Sequence, residues 1–155
     1  MKTQPSSKKT NHAEFDLENF LPYLLNQAAE STSRSFQAIY SQKYGMTRTQ
    51  WRVLANLGKF GSMTAKDICR ISHIEKTKVS RAITALEKVQ LLRRDVMPDD
   101  RRAEELQLTA KGIAVFEQLG KAALEYDGEL TSQLGQAESA ILVKALRSLI
   151  KLRMT

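Results

Sequence analysis

Two arginine pairs, Arg93-Arg94 and Arg101-Arg102, stand on either side of Met97-Pro98-Asp99-Asp100. A guanidinium is permanently charged and offers a planar fork of N–H donors, which suits phosphate and carboxylate oxygens. Just upstream, Lys76, Thr77, Lys78, Ser80, Arg81 and Thr84 add cations and hydroxyl groups. Such a set holds a polyanion; it does not make or break bonds. Groups suited to bond-making are sparse. His12 and His73 show no metal-ligand spacing and no nucleophile–base pairing. The single Cys69 excludes an internal disulfide framework and a thiolate-rich zinc site. Among seven glycines there is no G-x-x-x-x-G-K-[ST] and no G-x-G-x-x-G run. No catalysis, metal or cofactor is expected.

The charge has a location. The chain carries 24 Lys and Arg against 17 Asp and Glu, a net +7. Residues 1–12 hold three lysines and no acid, and residues 76–102 hold eight bases against four acids. Starting the second block at Glu75 lowers it by one, and everything else balances. Excess charge in one tail and one compact block resembles the footprint of a polyanion site, although a charge run on a solvated face gives the same count.

The 155 residues suffice for one domain, or for a small domain with an oligomerising extension. Apolar and charged fractions are those of a folded protein. No apolar run approaches the roughly 20 residues that span a bilayer. The first residues, MKTQPSSKKTNHAEF, lack the apolar stretch of a secretory signal. A cytosolic protein with no membrane association is expected.

The elements that must position these residues follow from periodicity and caps. Residues 1–14 read as a flexible basic tail. From Leu17 the spacing of Phe20, Leu21, Leu24, Leu25, Ala28, Thr32, Ser35, Phe36 and Ile39 is helical toward Tyr44, with Pro22 in the first turn and Gly45 at the end. Thr47-Arg48-Thr49-Gln50 is a capping box opening a helix with Trp51, Leu54, Ala55 and Leu57. Thr64-Ala65-Lys66-Asp67 is a weaker cap for a short helix with Ile68 and Ile71. After a turn at residues 72–75, a helix over residues 76–89 buries Val79, Ala82, Ile83 and Leu86, leaving its basic and hydroxyl side chains outward.

That is the pattern of a helix-turn-helix, whose second helix fits a major groove. Leu92, Val96, Leu106 and Leu108 then alternate about Pro98-Asp99-Asp100, as in a half-buried hairpin, the wing of a winged helix. Thr109-Ala110-Lys111-Gly112 caps a helix with Ile113, Phe116, Leu119, Ala123, Tyr126 and Leu130 on one face; Gly135 breaks it. A last helix carries Ile141, Leu142, Ala145, Leu146, Leu149 and Leu152. Apolar stripes at both ends exceed what so small a module covers, and the economical partner is a second copy. The expected fold is mainly α with a small β-hairpin wing. Residues 46–109 form the winged helix-turn-helix, and residues 17–45 and 110–153 the dimerisation region.

Several runs here resemble the MarR family of bacterial transcriptional regulators. They are Gln50-Trp51-Arg52-Val53-Leu54, Lys76-Thr77-Lys78-Val79-Ser80-Arg81 and Leu86-Glu87. The most specific is Asp100-Arg101-Arg102 followed by Leu106-Gln107-Leu108-Thr109-Ala110-Lys111-Gly112, similar to the family's wing signature leading into L-T-x-x-G. The resemblance covers residues 17–153. The run Phe20-Leu21-Pro22-Tyr23-Leu24-Leu25-Asn26 is also similar to the start of members from aromatic-catabolism operons.

The resemblance implies a triangular homodimer with interlocking terminal helices and a double-stranded pseudo-palindromic operator. Lys76, Thr77, Lys78, Ser80, Arg81 and Thr84 are then the groove-facing candidates. Arg101 or Arg102 is the minor-groove probe, with Asp99 or Asp100 orienting it; turn formation is the competing role for both acids. Arg93 and Arg94 are candidates for phosphate contact, and only one of the two can point outward from a regular strand. Repression by operator occupancy is the family default. Its effectors are small aromatic or anionic molecules, here an aromatic acid or its CoA thioester. Tyr23, Asn26, Arg34, Phe36, Tyr40, Trp51 and Arg52 are the lining candidates. Two readings stand beside this one: redox sensing through Cys69, and sequence-neutral architectural DNA binding. Peroxide-sensing relatives carry their cysteine in the first helix, where this chain has none.

Overall fold

The computed structural model describes residues 14–152, apart from the side chain of Arg101. The expected basic tail, save Glu14, and residue 153 of the expected last helix lie outside the described residues.

Helix boundaries fall where side chains satisfy the unpaired amides and carbonyls of helix ends. A 3-10 turn at Leu17–Asn19 precedes α1 (Leu21–Tyr44), which carries Pro22 in its first turn and stops at Gly45, φ +64°. α2 (Arg48–Phe60) opens on Thr47, whose Oγ1 accepts from the Gln50 amide at 3.2 Å while the Gln50 side chain accepts from the Thr47 amide at 3.4 Å. α3 (Ala65–Ser72) has an equally complete box: the Asp67 amide donates to Thr64 Oγ1 at 3.1 Å, and Asp67 Oδ2 accepts from the Thr64 amide and hydroxyl at 3.3 and 2.9 Å. This cap is no weaker than the first, because the carboxylate accepts two donors. His73, in the left-handed conformation, turns the chain into α4 (Lys76–Lys88).

Three antiparallel strands follow the order β1-β3-β2: β1 (Met63–Thr64), β2 (Leu92–Met97) and β3 (Asp100–Leu108). The β2–β3 hairpin matches the alternation in the sequence; β1 does not announce itself, since two residues carry no period. Along the hairpin Leu92 pairs with Leu108, Arg94 with Leu106 and Val96 with Glu104. Leu92 and Leu106 are buried, whereas Val96 is 61% exposed. The expectation that Val96 would be covered is corrected: only the base of the hairpin rests on the core, and its inward face runs out into solvent.

α5 (Ala110–Leu134) and α6 (Gln136–Lys151) meet at Gly135. In α5 Leu119 of the expected stripe is buried and Phe116, Ala123 and Tyr126 pack against the core, whereas Ile113 is exposed and Gly112 and Val115 are buried beside it. α6 buries no residue at all, and Ile141 and Ile150 are the most open of its apolar side chains.

The chain divides into two compact units, one ending at Ser35 and one beginning at Phe36. The core belongs to the second and joins Phe36, Tyr40, Val53, Leu54, Ile68, Val79, Ile83, Leu86, Leu92, Leu106 and Leu119. In the first, Phe15 and Phe20 meet edge to face at 5.2 Å, and Glu30 pairs with Arg34 at 3.0 Å on an exposed helix face.

Candidate nucleic-acid interface

α4 turns Val79, Ala82, Ile83 and Leu86 into the core, so the other face is fixed by helical geometry. Lys76, Thr77, Lys78, Ser80, Arg81 and Thr84 are all exposed on it. Polar ties hold both ends of the helix. Before it, the Arg52 guanidinium donates to the carbonyl of Ser72, and Asn56 Nδ2 donates to Ser72 Oγ at 3.0 Å and to the Arg52 carbonyl at 2.7 Å. These bonds fasten the end of α3 to α2 just where the chain turns into α4. After it, Lys111 Nζ donates to the Val89 carbonyl at 3.0 Å and Thr109 Oγ1 to the Gln90 carbonyl at 2.6 Å.

The wing is more acidic than its four arginines suggest. Residues 92–108 carry Asp95, Asp99, Asp100, Glu104 and Glu105 as well, one acid more than the arginines. The basic block over residues 76–102 ends just before those two glutamates. Arg93 Nε lies 3.4 Å from Asp95, and Arg93 Nη2 donates to Gln107 Oε1 at 2.9 Å. Arg94 is turned to the other face, paired with Glu87 at 3.2 Å and Glu104 at 3.1 Å. The ladder slips between Val96 and Met97, so residues 101–103 have no partner across β2. A bulge there re-aims side chains away from the regular pleat. Arg102 is exposed on it, while the Arg101 side chain lies outside the described residues. Asp100 Oδ1 accepts from the Arg102 amide at 2.9 Å, a turn-forming role. Asp99 is exposed at the tip.

The ligand candidates separate. Phe36, Tyr40 and Trp51 come together, with Tyr126 of α5 as a fourth ring that the sequence reading placed only in a helix stripe. Phe36 stands 5.4 Å from both Trp51 and Tyr126, and Tyr40 stacks on Trp51 at 5.9 Å. Burial pushes the Tyr40 hydroxyl above its ordinary pKa, partly opposed by the Arg48 guanidinium that hydrogen-bonds it. Withdrawal from water lowers the pKa of Arg52, helped by Arg48 one turn away. Arg48 was missed because it sits in the capping box, where it reads as a solvated helix start. Tyr23, Asn26 and Arg34 belong to the unit ending at Ser35, and Arg34 is engaged with Glu30. Cys69 is half-buried and packed against the core. Among the described residues no cluster of His, Cys, Asp and Glu fits a metal ion, and no helix is long and apolar enough to cross a membrane.

Short helices α2 to α4, with a three-stranded sheet whose hairpin follows the last of them, define a winged helix-turn-helix protein. The MarR family profile matches residues 44–103, which contain α2 to α4 and most of the hairpin. Over that segment the chain is similar to the MarR family of regulators. It is 28% identical to the HTH-type transcriptional regulator FarR of Neisseria gonorrhoeae, over 83% of this chain and 87% of that one. The crystal structure of transcriptional regulator PA4135 superposes with a TM-score of 0.79 at 26% identity, covering 87% of this chain and 98% of that chain. That of NadR in complex with 4-hydroxyphenylacetate gives 0.73 at 27%, covering 99% of this chain and all of that chain.

Proposed function

We propose that the protein is a ligand-responsive transcriptional regulator that binds a pseudo-palindromic operator as a homodimer, represses by occupying it, and acts in the cytoplasm. The observation that carries this is the outward face of α4, where six cationic or hydroxyl side chains stand together while the opposite face is buried. A helix of this kind enters a major groove with its first turns against base edges, and the bulged wing flanks it. Selection of duplexes from a random pool tests the reading. The expected outcome is an inverted repeat with half-sites about one helical turn, roughly 10 bp, apart. Recovery of random sequence would point instead to architectural, sequence-neutral binding.

The effector we propose is a small aromatic acid or its CoA thioester. NadR was crystallised with 4-hydroxyphenylacetate, and here the cluster of Phe36, Tyr40, Trp51 and Tyr126 supports an aromatic guest, with Arg48 beside it. A melting-temperature panel of aromatic acids, including 4-hydroxyphenylacetate, and of aromatic acyl-CoA thioesters tests this. The expected result is a rise in Tm with at least one member, accompanied by release of the selected duplex.

A further inference from the structure

Arg94 sits on the inward face of β2, opposite Leu106, with its side chain only 31% exposed. Its guanidinium reaches three groups on two elements. Nη2 donates to Thr84 Oγ1 at 3.1 Å, Nη1 donates to Glu104 Oε2 at 3.1 Å, and the buried Nε lies 3.2 Å from Glu87 Oε2, an ion pair not aligned as a hydrogen bond. Thr84 and Glu87 are three residues apart on α4 and share a face. Glu104 is the last residue of β3 in regular register before the 101–103 bulge. One planar fork therefore joins the second half of the recognition helix to the point where the wing leaves its ladder.

We propose that Arg94 is a positioning residue for DNA binding: it contacts no DNA, and sets the wing against α4 so that Arg102, on the bulge, reaches the duplex. This rests on the DNA-binding reading above. The chemistry favours tethering over contact. Two of the guanidinium's donors are already committed to Thr84 and Glu104, and a phosphate would have to displace them. A lysine keeps the charge but cannot span Thr84 and Glu104 together.

The test has two arms. In the free, full-length homodimer, amide hydrogen exchange is compared for wild type, Arg94→Ala, Arg94→Lys and Glu104→Gln. Arg94→Ala is expected to speed exchange in β2 and β3 beyond Arg94 while α2 keeps its protection; Arg94→Lys restores protection in part. Unchanged wing exchange in both Arg94 variants overturns the proposal. In the second arm the duplex selected by wild type is titrated with Arg94→Ala, Arg102→Ala and the double variant. Loss of the tether weakens binding roughly tenfold, the size of two partly exposed ion pairs and a hydrogen bond. Because both single variants act through the wing, the double variant should bind about as the weaker single one does. Additive losses mark Arg94 as an independent DNA contact and overturn the proposal. Should Arg94→Ala fail to fold, Glu104→Gln takes its place in both arms. The exchange arm uses no DNA, so a failure of the DNA-binding reading is told apart from a failure of the tether.

Discussion

At Gly112 a methyl group has nowhere to go: an added Cβ would lie 1.9 Å from the Leu91 carbonyl oxygen and 3.3 Å from Leu108 Cβ. This explains the run Thr109-Ala110-Lys111-Gly112 physically. Thr109 caps the helix, its Oγ1 accepting from the Gly112 amide at 3.0 Å, and the glycine lets α5 start directly against the end of the α4–β2 connection. Gly112→Ala should lower unfolding free energy by about 2–3 kcal/mol, because backbone has to move. Gly58→Ala meets the Phe116 ring, a side chain that can shift, and should cost less. Urea denaturation at one protein concentration ranks the two; equal losses would refute the distinction. Asp67 gives a pH signature. Its carboxyl is held below the usual range chiefly by the Thr64 hydroxyl, then by the Thr64 amide, with Arg70 at 3.6 Å adding to it. A pKa lowered by folding gives stability that is complete above the unfolded value of about 3.9 and disappears as pH falls through the lower folded value. The Tm deficit of Asp67→Asn is therefore expected to be largest near neutrality and to shrink in acid.

Among the elements, α4 and the wing were legible to different depths. The buried face of α4 follows from a 3.6-residue period that any packing partner satisfies, so Val79, Ala82, Ile83 and Leu86 could be named from spacing. A hairpin's alternation tells which residues share a face but not how far along that face the core extends; hence Val96 was misplaced and Leu92 and Leu106 were not. Paired arginines also give no sign of which is engaged internally, since Glu87 and Thr84 come from another element. For α4 the expected behaviour is specific. Lys78→Ala should weaken binding to all duplexes alike and reduce the salt slope of log K by about one, as loss of one phosphate contact does. An unchanged slope in a salt titration would remove Lys78 from the phosphate contacts.

For the whole molecule the informative feature is apolar surface without a partner. α6 carries Ile141, Leu142, Val143 and Ile150 exposed and buries nothing, although its sequence spacing is that of a packed helix. Exposure on this scale is what a homodimer removes from water. Ile141→Asp is expected to shift the protein from dimer to monomer in sedimentation velocity and to abolish operator binding with it. A dimer unchanged by Ile141→Asp and Ile150→Asp together would exclude α6 from the interface.

Taken by itself, the sequence determined whatever is settled within a few residues: the capping boxes at Thr47 and Thr64, the glycine stops, the buried face of α4 and the turn at Pro98-Asp99. Each is local, because a helix cap or a tight turn satisfies its hydrogen bonds with neighbours in the chain. Only the tertiary structure decided which charges face outward. Arg94 meets Glu87, Thr84 and Glu104, and Arg52 meets Ser72, across separations that composition and period do not encode. Strand β1 likewise exists only because β3 offers it an edge. A polar side chain is directed by partners that folding brings to it, and those partners were not its neighbours in sequence.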